Sequence, residues 1–134
     1  MPYLCGVFEN DHYMNFNLKN IPHRTSKPRS YGLTMVMDKG MGLSSTKDFL
    51  SVAAPYVDIV KLGFGTSFVT DHLREKIAIY QEAGIPVYFG GTLFEAFLVR
   101  DQFDDYVSVL KDFGLQHVGV SDGSITIPHL EKLG

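Results

Sequence analysis

Charged residues, hydroxyl residues and glycines follow four short apolar runs in this sequence, and these residue types are suited to binding a small anion. They are Asp38 and Lys39 after the first run, Lys61 and Gly63 after the second, Gly90, Gly91 and Thr92 after the third, and Ser121, Asp122 and Gly123 after the fourth. In parallel α/β proteins the carboxyl ends of the strands meet at one edge, where binding and catalytic residues gather. We therefore expect these residues to surround a common site.

Lys61 is the strongest single candidate in this set. It follows the apolar run VDIV and precedes Leu62 and Gly63, so we expect its side chain to point into the mouth of the fold. A buried lysine needs an anionic partner or a lowered pKa. A bound anion would provide that charge, and so would Asp38 on the adjoining strand. For Lys39, a functional role and simple solvation are both open.

Three carboxylates have a functional and a structural interpretation. Asp38 stands at a strand end, where barrel enzymes place catalytic groups, but a charge pair with Lys39 would also explain it. Glu95 lies three residues after Thr92, which is the spacing of a helix capping box. Asp122 precedes a glycine, as turn aspartates that bond their own backbone often do, yet it also stands at a strand end.

Two glycine-rich loops offer backbone N–H groups to an anion. The first contains Gly63, Gly65, Thr66 and Ser67, and the second contains Gly90, Gly91 and Thr92. Concave runs of backbone N–H groups bind anions, and the second loop also precedes a helix N-terminus, where the helix dipole favours negative charge. Tight turns without any ligand are the alternative for both loops.

The elements that must position these residues repeat one strand–helix unit. Strand-like runs begin at Leu33, Val57, Pro86 and His117. The helices are predicted from a capping-box pattern at Ser45 and Asp48, a cap at Thr70 or Asp71, an apolar stripe from Phe103 to Phe113, and a start at Pro128, with glycine stops at Gly84 and Gly114. Consecutive units of this kind predict a parallel sheet.

The polar residues at every strand end favour a barrel over an open dinucleotide-binding sheet. The turn DKGMGLSS lacks the third glycine of the dinucleotide fingerprint. A complete barrel takes about 250 residues, whereas this chain has 134. We therefore predict an α/β fold of the TIM-barrel type with about four units, in which residues 1–31 form an irregular arm and residues 32–134 form the first half of the barrel.

Composition limits the partners and the compartment. The net charge is -3 and the pI is about 5.9, which argues against nucleic acid and anionic membranes as partners. A single cysteine, Cys5, fits a reducing compartment, and no long apolar run or basic leader is present, so we expect a cytoplasmic protein. The basic cluster Arg24, Lys27 and Arg29 is either solvated or in contact with an anion or a neighbouring subunit.

Four segments together resemble one known family. In order they are KPRSYGLTMVMDKGMGL, VDIVKLGFGTS, YFGGTLFE and VGVSDGSITIP, and the chain from about Asn15 to Gly134 resembles the phosphosulfolactate synthases. The resemblance implies a (β/α) barrel that adds sulfite to phosphoenolpyruvate with magnesium, giving (2R)-2-phospho-3-sulfolactate on the way to coenzyme M or sulfolactate. Such an enzyme is a carbon–sulfur lyase. The family's strands five to eight have no counterpart here, so the chain resembles an inactive fragment.

The family reaction implies a role for each candidate residue. Asp38, Glu95 and Asp122 are candidate magnesium ligands, because magnesium prefers carboxylate oxygens. The catalytic candidates are Lys61, Asp38, Lys39, Glu95 and Asp122. Substrate binding falls to the two glycine-rich loops with Ser121 and Gly123. Half a barrel leaves two sheet edges unpaired, so we expect a homo-oligomer.

Two other interpretations stay open from the sequence. One is a non-catalytic relative of the same family, of the heat-stress-associated type, which acts through protein partners. The other is a barrel enzyme that acts on a different phosphorylated acid. Charged residues at the strand ends favour an enzyme, because a scaffold has no need for them there.

Overall fold

The structure, a computed structural model, describes residues 15–126. Within that stretch the chain forms four β-strands and four α-helices. The elements are β1 (Met35–Asp38), α1 (Leu43–Ala53), β2 (Ile59–Leu62), α2 (Leu73–Glu82), β3 (Val87–Phe89), α3 (Gly91–Leu98), α4 (Phe103–Asp112) and β4 (His117–Val118), with short 3₁₀ turns at Ala54–Tyr56 and Thr66–Phe68. The helix predicted from Pro128 lies outside the described residues.

The four strands form one parallel sheet in the order β1-β2-β3-β4. In register, Met37 on β1 lies opposite Lys61 on β2, Lys61 lies opposite Tyr88 on β3, and Tyr88 lies opposite His117 on β4. This topology confirms the predicted parallel sheet and the helices that follow β1, β2 and β3. It is the arrangement of half a TIM-type barrel, in which neighbouring strands follow one another in chain order.

Alternation along the strands gives the sheet two different faces. Val60, Leu62 and Phe89 are buried and join residues of α2, α3 and α4 in the hydrophobic core; we call their side of the sheet the outer face. Burying each such side chain contributes about 1.5–3 kcal/mol. The opposite side, the inner face, carries Lys61 and Tyr88, which are only half-buried. The core therefore lies between the sheet and the helices, and the inner face lies on the side away from this core.

The predicted helix starts need correction at two places. The N-cap of α1 is Gly42, and Ser45 lies inside the helix. The N-cap of α2 is His72, so neither Thr70 nor Asp71 holds that position, and neither helix has a side-chain cap. The helix α1 starts early because Asp38 Oδ1 accepts the backbone N–H groups of Gly40 and Met41, which turns the chain directly after β1.

The predicted helix stops are confirmed. Gly84 follows the C-cap of α2 with φ 73°, and Gly114 follows the C-cap of α4 with φ 66°. Both residues adopt the left-handed conformation that favours glycine after a helix. The helix α4 starts at Phe103, as its apolar stripe predicts, and its Tyr106 is buried against the aromatic side chains of α3. None of the helices formed by residues 15–126 is long and apolar enough to cross a lipid bilayer.

The basic cluster of the arm is tied to the body of the protein. The guanidinium of Arg29 donates to Asp58 Oδ1 at 2.8 Å and to the carbonyl of Pro55 at 3.1 Å. Lys27 Nζ donates to the carbonyl of Ala54 at 2.9 Å. These contacts fasten the arm to the connection between α1 and β2, so Lys27 and Arg29 are not simply solvated. Contact of the cluster with an anion or a neighbouring subunit stays a prediction. The domain boundary at residue 31 stays a prediction.

Candidate active site

Lys61 occupies the centre of the inner face, as predicted. A Cβ atom added at Gly90 would lie 2.9 Å from Lys61 Cε, so the lysine side chain passes directly over this glycine. Gly90 lies two residues beyond Tyr88, the register partner of Lys61, and therefore nearer the carboxyl edge of the sheet. Within residues 15–126 the ammonium of Lys61 has no hydrogen-bond or ion-pair partner. The sequence thus delivers an unpaired cation to the mouth of the fold.

Asp38 does not pair with Lys61 or with Lys39, which corrects two expectations. Its side chain lies on the outer face, where Oδ2 is 2.8 Å from Lys76 Nζ and accepts a hydrogen bond from the Tyr80 hydroxyl at 2.8 Å. Oδ1 accepts the backbone N–H groups of Gly40 and Met41 at 2.8 and 2.9 Å. Outer-face and inner-face side chains alternate along a strand, which is why Asp38 and Lys61 point to opposite sides.

The buried Asp38–Lys76 pair fixes the protonation state of the aspartate. Burial raises the pKa of Asp38, but hydrogen bonds from Lys76, the two backbone N–H groups and Tyr80 outweigh burial and hold the pKa below its usual value. Burial and the bond to Asp38 raise the pKa of the Tyr80 hydroxyl. Asp38 is therefore an ionised structural residue that joins β1 to α2 and closes the turn before α1.

Lys39 is exposed at the rim of the sheet. Its Nζ lies 5.5 Å from the centroid of the Phe64 ring, within the range of a cation–π contact. Phe64 belongs to the loop after β2 and has a φ of 58°, a strained value for a residue other than glycine. Lys39 thus packs on this loop and not beside Lys61 on the inner face.

Glu95 is buried on α3 and holds the loop that follows β4. One oxygen accepts the Ser121 hydroxyl and the backbone N–H of Gly123, and the other accepts the backbone N–H of Ser124 at 2.8 Å. The N-cap of α3 is Gly90, so the capping box predicted from Thr92 and Glu95 is wrong. The hydrogen bond from Ser121 lowers the pKa of Glu95; burial raises it, and the two backbone N–H groups lower it further.

Asp122 is exposed on this anchored loop. Its neighbour Ser121 packs directly on Gly91 at the start of α3, where an added Cβ would lie 2.6 Å from Ser121 Cβ. The contact between Ser121 and Glu95 crosses from the loop after β4 to the helix after β3. The structure therefore brings Ser121, Gly123, Glu95 and Gly91 together at one strand end.

The two glycine-rich loops differ in the contacts that their residues make. In the first, Thr66 donates its hydroxyl to the carbonyl of Gly63 at 2.8 Å, and Gly65 adopts a left-handed conformation with φ 68°. Ser67 is buried with no hydrogen-bond partner for Oγ among the described residues. In the second, Gly90 and Gly91 make close contacts with Lys61 and Ser121, while Thr92 is exposed. The glycines are thus explained in part by packing.

The described residues do not fit the predicted magnesium site. All carboxylate oxygens of Asp38 and Glu95 accept hydrogen bonds from groups of this chain. Among residues 15–126 no cluster of three or more His, Cys, Asp or Glu side chains could hold a metal ion. Asp38, Glu95 and Asp122 are therefore not assembled into one ligand set.

An open cleft of about 430 Å³ lies between the loops that follow β1 and β2. Of the predicted site residues, its lining includes Lys39 and Thr66, together with Lys76 from α2. Lys61, Glu95 and Asp122 are not part of it. We place the candidate site on the inner face because an unpaired ammonium at the carboxyl edge of a parallel sheet is the stronger chemical indication.

Sequence reasoning missed Tyr88, His117 and Lys76. Tyr88 and His117 share the inner face with Lys61 through the strand register. The sequence contained a signal for Tyr88, because it lies two residues before Gly90 and residues two apart in an extended segment face the same side. Lys76 lies on a helix far along the chain from Asp38, and no local pattern indicates their contact. The inner-face row is therefore Lys61, Tyr88 and His117.

Comparison with known proteins shows which family this chain is similar to. The family model of (2R)-phospho-3-sulfolactate synthase (ComA) matches residues 22–134. Among curated relatives, the phosphosulfolactate synthase of Methanocaldococcus jannaschii is 44% identical over 103 residues, covering 75% of this chain and 41% of the relative. That of Methanothermobacter thermautotrophicus is 37% identical over 113 residues, covering 83% of this chain and 44% of the relative.

The Bacillus subtilis phosphosulfolactate synthase is 36% identical over 118 residues, covering 88% of this chain and 46% of the relative. The parallel sheet with its flanking helices is the architecture of part of a (β/α) barrel of the TIM type. The chain belongs to the phosphosulfolactate synthase family. It spans less than half the length of the curated relatives it matches.

Proposed function

We propose that the complete gene product containing this chain adds sulfite to phosphoenolpyruvate and forms (2R)-2-phospho-3-sulfolactate. The observation that carries the proposal is the match of 75–88% of the chain to three proteins named phosphosulfolactate synthase. The reaction joins two anions, so it needs a cationic site. Lys61 is the candidate for that cation.

The proposed reaction is a conjugate addition. The lone pair on the sulfur of sulfite forms a bond to the methylene carbon of phosphoenolpyruvate, and the electrons of the carbon–carbon double bond move into the carboxylate. The resulting enediolate then takes a proton at the carbon that bears the phosphate. No bond to phosphate breaks, and the product carries one added sulfonate and one added hydrogen.

Each residue of the proposed site serves one part of this reaction. The ammonium of Lys61 lowers the electrostatic cost of bringing two anions together and stabilises the enediolate charge. The N–H groups of Gly63 and Gly90 donate to the carbonyls of Asp38 and Leu62, both at 2.9 Å. Substrate oxygens therefore bind to other backbone N–H groups of the two glycine-rich loops. Glu95 holds the loop of Ser121 and Asp122 at the rim.

Several further expectations belong to the same proposal. The enzyme would be a carbon–sulfur lyase of the cytoplasm, and it would form a homo-oligomer. Because β1 and β4 each have one edge that pairs with no other described strand, an isolated copy of residues 1–134 would associate and would lack useful activity. A magnesium requirement stays a prediction, which chelation followed by addition of magnesium would test.

The decisive assay is product formation by the complete gene product. Incubation with phosphoenolpyruvate and sulfite, followed by ³¹P NMR, should show the phosphate ester of 3-sulfolactate. Lys61→Met should lower kcat/KM at least 100-fold, because loss of a charged contact to the reacting group costs about 3 kcal/mol or more. Lys47→Met, an exposed position on α1, is the matched control and should leave kcat/KM unchanged.

No product from the unchanged protein, in the presence or absence of magnesium, would contradict the proposal. That result would favour either a non-catalytic relative or an enzyme for another phosphorylated acid. A substrate screen with other phosphorylated acids would then separate these two.

A further inference from the structure

The inner face carries a second polar side chain directly beside Lys61. Tyr88 on β3 is the register partner of Lys61, so the two side chains leave the sheet on the same side. Neighbouring strands lie about 4.8 Å apart, which lets both long side chains reach one ligand. The hydroxyl of Tyr88 has no hydrogen-bond partner within residues 15–126.

The two core tyrosines, Tyr80 and Tyr106, lie in a different environment from Tyr88. Tyr80 lies on the outer side of the sheet and donates its hydroxyl to Asp38 at 2.8 Å. Tyr106 is buried among the aromatic rings of α3, where its hydroxyl has no hydrogen-bond partner among the described residues. Tyr88 is only half-buried and stands on the face that carries an unpaired cation. A phenol hydroxyl beside that cation is available to an anion that the cation attracts.

We infer that Tyr88 is a substrate-contacting residue, which donates a hydrogen bond to an oxygen of the same anion that Lys61 neutralises. The inference rests on the proposed function and assigns to the site a residue that the strand ends do not reveal. The attraction between the ammonium and an anion depends little on direction. The hydroxyl, in contrast, donates a single hydrogen bond, which is strongest when it is nearly linear. Tyr88 therefore orients the anion that Lys61 attracts.

The glycine above Tyr88 supports this assignment. Gly90 follows the last residue of β3 and lies two residues beyond Tyr88, and the Lys61 side chain passes over it. The Lys61 side chain therefore reaches from β2 to the end of β3, the strand that carries Tyr88. Both polar groups lie on one face of neighbouring strands, so one anion can contact both.

The competing explanation is that Tyr88 only fills the interior of the barrel. Tyr88→Phe separates the two, because it removes the hydroxyl and keeps the ring. Tyr31→Phe is the matched control, since Tyr31 is 70% exposed in the arm. A filler role predicts no change in ligand binding from Tyr88→Phe, because the packing volume is preserved.

The test uses the complete gene product with phosphoenolpyruvate as the probe. Calorimetry should show a Kd for phosphoenolpyruvate raised at least 10-fold in Tyr88→Phe, as expected for a lost hydrogen bond to a charged group, with Tm and the Tyr31→Phe control unchanged. In kinetics, KM for phosphoenolpyruvate should rise more than kcat falls.

The binding measurement also separates this inference from the proposed function. If the unchanged protein binds phosphoenolpyruvate but forms no sulfolactate product, the proposed function fails and the Kd comparison still decides the role of Tyr88. An unchanged Kd in Tyr88→Phe, or no binding of phosphoenolpyruvate by the unchanged protein, would overturn the inference.

Discussion

Replacement of Lys76 by methionine tests how much the buried Asp38–Lys76 ion pair, which joins β1 to α2, contributes to the free energy of unfolding. Methionine keeps most of the side-chain volume and removes the ammonium, which leaves the ionised Asp38 without its cation. Asp38 and Lys76 are each 1% exposed, so solvent cannot replace the lost charge. Removing one partner of a buried ion pair costs about 3–5 kcal/mol.

The lower end of that range is expected here. Asp38 keeps three donors after the change, namely the backbone N–H groups of Gly40 and Met41 and the Tyr80 hydroxyl. We therefore predict that Lys76→Met lowers the free energy of unfolding by about 3 kcal/mol. The exposed Lys47→Met should change it by less than about 0.5 kcal/mol.

Urea denaturation at neutral pH measures both variants. The double variant Asp38→Asn with Lys76→Met should recover part of the loss, because it leaves no unpaired charge in the interior. A loss below about 1 kcal/mol for Lys76→Met, or no recovery in the double variant, would refute the argument that charge and not packing controls this site.

The pH dependence of stability gives a second test of the same pair. The folded-state pKa of Asp38 is below its usual value, so its contribution is fully present above the unfolded pKa of about 3.9 and is lost as the pH falls through the folded pKa. In Lys76→Met the carboxyl loses the contact that lowers its pKa most, so the variant should be less destabilised in acid than at neutral pH. An equal loss at both pH values would contradict this account.

Three further predictions follow from single contacts. Glu95→Gln should speed hydrogen exchange of the Gly123 and Ser124 amides about 10-fold or more, because the amide cannot accept all the bonds that the carboxylate accepts; the exposed Glu82→Gln should not. Tyr106→Phe should leave the free energy of unfolding unchanged or raise it by about 1 kcal/mol, because the buried hydroxyl has no hydrogen-bond partner among the described residues. Burial also raises the pKa of this hydroxyl to about 12. A loss above about 1 kcal/mol in urea denaturation would contradict this prediction. Gly90→Ala should lower stability by about 1–3 kcal/mol in the same assay, because the new Cβ would lie 2.9 Å from Lys61 Cε and 3.2 Å from the Leu62 carbonyl oxygen, and an unchanged value would argue against that contact.

The strands and the parallel sheet could be predicted from sequence because their signals are local. Apolar runs recur at regular intervals, and the apolar stripe of α4 has a clear helical period. The helix stops at Gly84 and Gly114 also depend on one residue each. The start of α1 could not be predicted, because it depends on the side chain of Asp38 binding the backbone of Gly40 and Met41.

The candidate site was only partly predictable, because which face a side chain takes depends on the strand register. The strand-end position indicated Lys61 as a candidate but grouped it with Asp38, which points the opposite way. Glu95 was predicted as a helix cap or a site residue, and its contacts with Ser121 and Ser124 join segments distant in sequence. Tyr88 lay inside a strand and not at its end, so a rule based on strand ends overlooked it.

The most direct test of the account is where phosphoenolpyruvate binds. A crystal structure of the complete gene product with this ligand should place an oxygen of phosphoenolpyruvate within hydrogen-bond distance of Lys61 Nζ on the inner face. Binding instead in the cleft between the loops after β1 and β2, beside Lys39 and Thr66, would contradict the assignment of the inner face as the active site.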